Sequence, residues 1–591
     1  MEEKRNLDVV SIVGAVACGI VLVVMFIYNT RRQQQYQQSL PPPAPVTSAP
    51  AAEDGAGDAA KVPVAAQGAV PVAAEAVGTL LTIAAPADPV ELPVAGEFVA
   101  FVDPTGLGVK AVRMEKYTIQ TKDESRKDEK QLIGKEPAPY MALQVKGSSQ
   151  LYEYGASEAD DHHVSVTRID AGRNFAFKEE WRVGEGGKAD KSYEIYYTLT
   201  VTNIGTGSLP LPQMSLDCGA LPPFLSDEQN TSFSNGVSGG VAYGPSGKNK
   251  AVTLSMKDVT KKLTVDKLAQ YGATPLDWVT VGSKYFLFVL RNLKQDGQPA
   301  SFAGFDPSQP QNAALLGGEC FHAKAVLPGN ITLAPGQSIT WSVDGYAGPK
   351  DFRRLQMMGQ NIASIMGMDL FFFGHFGWMG WICRVLLECL IGIASCFNAP
   401  WGYGIGIIVI TLAVKIIFLP LSWKSTRDMR KMSALMPELK ALREKYKGDA
   451  QRMYYEQQKL YKERGVSQMG GCLPMLVQIP VFFAMFNTFR SAIEIRNASF
   501  LWAADLSMPD AIFGLPIHPL ALLTGATLFF QQKLTPSADP NQARMMNIMS
   551  LVFVFFFYQM PAALTLYMTV NSLFTIAQML LFKRWEKKAA A

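Results

Sequence analysis

Thr411-Leu412-Ala413-Val414-Lys415-Ile416-Ile417-Phe418-Leu419-Pro420-Leu421 sets a single lysine inside an otherwise apolar run. The run reaches from about residue 403 to 422, the length a helix needs to cross bilayer hydrocarbon. Lys415 falls four to six residues before the run ends in a basic segment. At about 1.5 Å per residue its backbone lies roughly 9 Å inside the hydrocarbon. A lysine at mid-membrane costs roughly 2.5–3.5 kcal/mol, and less nearer the surface. Such a cation either snorkels to the headgroups or lines a hydrated cavity. Thr411 lies one turn earlier on the same helix face, and Ser422 falls on that face too.

Working outward, similar apolar segments occupy 472–489, 516–533, 545–562 and 564–582. Val9–Tyr28 is a further run without an A-x-A cleavage site, read as an uncleaved signal anchor (1–32). Six transmembrane helices are expected. Several carry polar faces: Thr524, Thr527 and Gln531 in one, and Thr565, Thr569, Ser572 and Thr575 in the last. Gln478 lies between Pro474 and Pro480, and Gln559 precedes Pro561. Taken singly, such residues read as helix–helix hydrogen bonds. Beside an intramembrane lysine they suggest a wet groove.

Charge sets the orientation. From Lys424 to Arg464 there are twelve basic and six acidic residues, a net of six positive charges, and positive loops stay cytoplasmic. The basic C-terminal tail (Lys583, Arg584, Lys587, Lys588) agrees. Both termini are then cytoplasmic, and the region between the first two spans is periplasmic. Met429, Met432, Leu435, Leu439, Leu442 and Tyr446 recur at helical spacing, so residues 424–465 form an amphipathic helical hairpin bent at Pro437. Its apolar face needs a partner, whether lipid, a client chain or a ribosome. Residues 351–402 contain another amphipathic candidate, Trp378–Ala394, whose tryptophans suit a membrane interface.

The region 96–350 has a different period. Gly108–Ile119, His163–Ile169, Tyr193–Val201, Tyr285–Arg291 and Ser338–Tyr346 are strand-length stretches between turn residues, the pattern of a β-sandwich. Residues 33–95, rich in Gln and then in Pro and Ala, form a linker with no fold of their own. A chain of 591 residues with a net charge of +4 is multidomain and shows no nucleic-acid bias. It lacks a P-loop, a dinucleotide fingerprint and a zinc-spaced Cys/His cluster, so no cofactor, no metal and no sequence-specific nucleic-acid binding are expected. Cys218 and Cys320 either bridge or stay as buried free thiols. The β region holds only His162, His163 and His322, with no evident acid–base arrangement for a sugar-modifying enzyme.

Three motifs resemble the Oxa/Alb/YidC family of membrane-protein insertases: Val414–Leu421, Gly470-Gly471-Cys472-Leu473-Pro474-Met475-Leu476-Val477-Gln478-Ile479-Pro480, and Phe529-Phe530-Gln531-Gln532-Lys533-Leu534-Thr535-Pro536. The likeness covers 355–585 closely. Anchor, linker and β domain resemble the Gram-negative layout, and Tyr346-Ala347-Gly348-Pro349-Lys350 is similar to the usual end of the periplasmic domain. The resemblance implies a non-enzymatic chaperone of the inner membrane and a periplasmic β-supersandwich on a helical membrane domain (403–591). It also implies a groove open to cytoplasm and lipid. Lys415 would attract polar client tails there, with Thr411, Gln478, Gln559 and Met568 along the path. The implied partners are nascent membrane proteins, the Sec translocon, the ribosome and membrane lipids. Two positions depart from the family pattern: Lys415 replaces an arginine, losing its planar five-donor fork, and Ala563 replaces a glycine.

Overall fold

The computed structural model describes residues 89–590, apart from 104–107, 120–128, 135–138, 147–152, 185–192, 223–239, 249–250, 255–263, 309–319, 372–373, 447–448, 466–472, 513–516, 535–552 and the single positions 369, 376, 398 and 400. The expected anchor (1–32), nearly all of the linker (33–95) and the first half of the 545–562 span lie outside the described residues.

Alternation of side chains builds the β domain. In Glu194–Asn203, Ile195, Tyr197, Leu199 and Val201 are buried while the residues between them are half-exposed. This strand pairs antiparallel with Phe175–Val183 on one side and Ser338–Pro349 on the other, within a ten-stranded sheet. An eight-stranded sheet covers its inner face. Tyr140 of the smaller sheet stacks on Phe288 of the larger at 4.6 Å and donates its hydroxyl to the Val289 carbonyl at 2.6 Å. The result is a β-sandwich that carries, among the described residues, the short helix α1 (Val265–Gly272). All five stretches read from the sequence are strands, displaced only at their ends. Cys218 and Cys320 are both buried free thiols, so the bridge is not formed.

Two residues past the strand Ser338–Pro349, Asp351 caps α2 (Phe352–Met357), accepting from the Arg354 backbone N–H at 3.1 Å. The helical part continues as α3 (Gly377–Ser395), α4 (Gly402–Ile417), α5 (Leu419–Ala434), α6 (Met436–Lys445), α7 (Ala450–Glu463), α8 (Leu473–Ser491), α9 (Pro519–Leu534) and α10 (Ala562–Ala590). Pro420 has no N–H to continue the ladder of α4, and α5 leaves it at 61°. Pro437 likewise sits in the first turn of α6 and separates it from α5. Asp449 caps α7 through the Arg452 N–H at 3.0 Å, and Arg464 reaches back to Glu438 at 2.8 Å. The apolar stripe of the hairpin finds its partner within the hairpin, because Leu435, Leu439 and Tyr461 form a small core of their own.

Among the described residues, α3 and the Ala562–Trp585 part of α10 are long and apolar enough to cross a membrane, and the bent pair α4–α5 makes a third candidate. The expected six helices are thus visible only in part: α8 carries Pro480 and Arg490, and α9 is 16 residues long. The surface helix expected at Trp378–Ala394 proves more apolar than its amphipathic pattern implied, with Arg384 and Glu388 its only charges.

Inside the larger sheet, Arg168 pairs with Glu179, both almost fully buried, and Tyr197 donates to Glu179 at 2.8 Å. Burial holds the Glu179 carboxyl above the usual range, and Arg168 opposes that shift. A carboxyl raised in the fold stabilises it at low pH, and the contribution fades as pH rises through the folded-state pKa. Arg168→Ala is expected to cost about 3–5 kcal/mol near neutral pH, with part of the loss recovered on mild acidification. Urea unfolding followed by tryptophan emission at the two pH values checks this; an equal loss at both would refute it.

Candidate functional site

Lys415 occupies the last turn of α4, ahead of the break at Phe418. Its side chain is half-buried, and its Nζ donates to Thr575 Oγ1 of α10 at 3.0 Å. Just beyond the break, Ser422 accepts from Gln578 of the same helix at 2.9 Å. Thr575 in turn donates to the Asn571 carbonyl at 2.8 Å. Below these contacts Trp423 meets Phe582 at 4.4 Å and Trp585 at 5.4 Å, and both tryptophans are exposed. Aromatic groups of this kind mark the headgroup level. From Phe582 back to Thr575 is seven residues of straight helix, about 10 Å. Because α5 bends away, α10 is the better ruler for this depth.

Gln478 of α8 donates to Tyr567 Oη at 2.5 Å. Tyr567, Asn571, Thr575 and Gln578 follow one another at intervals of four, four and three residues, so they share one face of α10. Lys415, Ser422 and Gln478 reach that face from three other helices. The stripe covers about 16 Å, roughly half the hydrocarbon thickness. Tyr567 and Asn571 are buried, whereas Thr575 and Gln578 are half-exposed, so the stripe opens toward the hairpin end. Met568, beside Tyr567, is half-buried. Thr411 is buried and donates to the Ile407 carbonyl of its own helix at 2.6 Å, which leaves its methyl to face outward from that bond. Gln559 is exposed in the turn before α10 and is not brought to the stripe, since Pro561 and the turn hold it at the far end.

The other threonines behave differently. Thr524 of α9 meets Thr569 Oγ1 at 2.7 Å and donates to the Thr565 carbonyl at 3.1 Å. Thr565, Thr569 and Ser572 are buried on another face of α10, against the equally buried Thr524. That is a dry helix–helix contact. Tyr567, Asn571 and Gln578 were missing from the sequence reading. Their four-residue spacing through Thr575 was the available signal, but the hydroxyls of Thr565, Thr569 and Ser572 make the more conspicuous pattern in the sequence.

In the β domain, His322 Nε2 sits 3.0 Å from both oxygens of Asp217. Asp217 also accepts from Gln144 at 3.1 Å and from the Gly219 N–H at 2.8 Å. Both members of the pair are buried, which suits a structural role within the sheet. His162 and His163 lie near the surface, apart from it.

Residues 394–589 match the family model described as 60Kd inner membrane protein, and residues 100–389 match the model of the YidC periplasmic domain. Among curated relatives named membrane protein insertase YidC, that of Pelobacter propionicus is 39% identical over 311 residues, 51% of this chain and 53% of the relative. That of Chlorobaculum tepidum is 33% identical over 423 residues, 68% of this chain and 65% of the relative. The chain spans about half the length of the first of the curated relatives it matches. A solved structure of an active YidC insertase, with its first transmembrane domain resolved, aligns at a TM-score of 0.34 and 16% identity over 84% of this chain and 92% of that one. One model takes in the β domain and the other the helices that carry Lys415, Gln478 and the polar stripe of α10. This chain belongs to the YidC family.

Proposed function

We propose that the chain is an insertase and chaperone for integral membrane proteins of the bacterial inner membrane, acting alone or beside the Sec translocon. The observation that carries this reading is the Lys415–Thr575 contact, about 10 Å along α10 from the aromatic level and continuous with a polar stripe. A half-buried ammonium at that depth is expensive unless water or polar groups attend it. Hydroxyl and amide groups along one face supply both, and half-exposure at the hairpin end leaves room for water.

In this reading six helices span the membrane, both termini and the basic hairpin are cytoplasmic, and the β-sandwich is a periplasmic supersandwich. Helix α3 lies along the outer surface. In support, Glu388 near its middle forms a forked ion pair with Arg353, only four residues past the end of the β domain's last strand. Lys415 attracts an acidic or polar tail of an incoming client, and the groove shortens the apolar barrier that the tail must cross. The stripe, with Gln478 and the adaptable thioether of Met568, lines the route and Thr411 packs behind Lys415, while Gln559, expected along the same path, stands apart at the closed outer end. The client's apolar helix then leaves sideways into lipid, driven by burial of apolar surface. Substrate selection here needs no covalent step, nucleotide or metal. The ribosome and membrane lipids are further partners in this proposal, and the hairpin is where a ribosome would meet the chain.

Two measurements test it. In a variant without native cysteines, single cysteines at Thr575 and Gln578 should react with a water-soluble maleimide in membranes, while those at Thr569 and Ser572 stay inert. Equal protection of all four would dismiss the wet groove. Lys415→Ala should slow insertion of clients with acidic translocated tails by about tenfold, equivalent to about 1.4 kcal/mol, and Lys415→Arg should preserve it. Unchanged insertion by the alanine variant in reconstituted vesicles would remove Lys415 from the mechanism.

A further inference from the structure

We infer that Arg496 is a positioning residue that couples the β domain to the helices carrying the polar stripe. The structural part stands by itself, and only its consequence for insertion rests on the reading above. Helix α8 ends at Ser491, and a single 3-10 turn, Ile493–Ile495, follows with both isoleucines fully buried. That anchor aims Arg496 into the β domain. Its guanidinium lies 5.2 Å from the ring centre of Phe286 and 5.8 Å from that of Tyr285, and Nη2 donates to Gln131 Oε1 at 2.8 Å. Arg496 and Gln131 are both buried. Asn497 adopts a left-handed backbone (φ 60°) and donates to Thr118 Oγ1 at 2.8 Å.

From this docked point the loop turns back to the helices. Leu506 N–H donates to the Ala498 carbonyl at 2.8 Å. The carbonyls of Leu506 and Met508 accept from Ala563 at 2.9 Å and Ala562 at 2.7 Å. Those two N–H groups open α10, where a helix has no acceptor of its own to offer. Asp510 accepts from Leu520 at 2.7 Å in the first turn of α9. Gly404 of α4, lacking a side chain, lets the Phe500 ring pack directly on its backbone. One loop thus touches the outer ends of the three helices that bear Lys415, Thr524 and Tyr567, and continues the fourth, which bears Gln478.

Burying a guanidinium is costly, and an apolar side chain would fill the same space more cheaply. What arginine adds is direction: a planar cation fits between two rings with its donors at a fixed angle. Arg496 therefore sets how the β domain sits on the loop, and through Ala562 and Ala563 it sets the register of α10 against α8. The Gln478–Tyr567 bond lies five residues into that helix.

The test uses the full chain in vesicles of phosphatidylethanolamine and phosphatidylglycerol. Amide exchange is compared in the wild type, Arg496→Ala, Arg496→Lys and Gln131→Ala. Arg496→Ala and Gln131→Ala should each speed exchange about tenfold both in peptides spanning 130–133 and in those spanning 562–563. Arg496→Lys, which keeps the cation over the rings, should recover part of the protection. Faster exchange at 130–133 with wild-type exchange at 562–563 in Gln131→Ala overturns the coupling, even if Arg496→Ala fails to fold. Insertion of a client measured on the same vesicles should fall in step with exchange at 562–563. A wild type that inserts nothing would sink the insertase reading and leave the exchange result standing.

Discussion

A cation held inside apolar surroundings must be solvated by something, and the arrangement of the helices around Lys415 answers that need. From the last turn of α4 the half-buried ammonium takes the Thr575 hydroxyl as its partner. That requirement brings α10 beside α4. It also explains why the α10 face that meets Lys415 is lined by Tyr567, Asn571, Thr575 and Gln578 instead of the leucines that lipid alone would accept. The break at Pro420 completes the arrangement. By turning α5 away at 61°, it brings Ser422 onto the same stripe, where it accepts from Gln578.

Helix α10 shows how identical residue types serve opposite ends. Thr569 and Thr575 lie six residues apart, so they project to different sides. One closes a dry contact with Thr524, and the other holds the lysine. In the first case a hydroxyl satisfies a neighbour's hydroxyl so that two helices can approach. In the second the hydroxyl is half-exposed and meets a cation instead. Local composition does not distinguish them. Only the identity of the facing helix does.

The β domain carries its own version of this economy. Buried polar groups are placed in sets: Arg168 with Glu179 and Tyr197, Asp217 with His322, Gln144 and a backbone N–H. Each set is spent on the sheet's own register. Arg496 differs because its partners belong to another part of the chain, 365 residues away at Gln131. A charged group used to join two domains gives the contact an angle as well as an affinity, which apolar packing does poorly.

Much of this was legible in the linear sequence, and for local reasons. Strand alternation in Glu194–Asn203 and helical spacing in Met429–Tyr446 are properties of short stretches, so the β-sandwich and the hairpin could be read before any coordinates. So could the place of Lys415 near the end of an apolar helix, because a lone charge in an apolar run is conspicuous wherever it points. The hairpin's own core, the free state of Cys218 and Cys320, the inward bond of Thr411 and the remoteness of Gln559 could not be read. Each depends on which element lies opposite, and hydrophobic periodicity says that a face is covered without saying by what. The partner of Lys415, the split between the two faces of α10 and the docking of Arg496 are decisions of the tertiary structure, since long-range pairing is settled by the packing of whole elements and not by the residues adjoining a side chain in the chain.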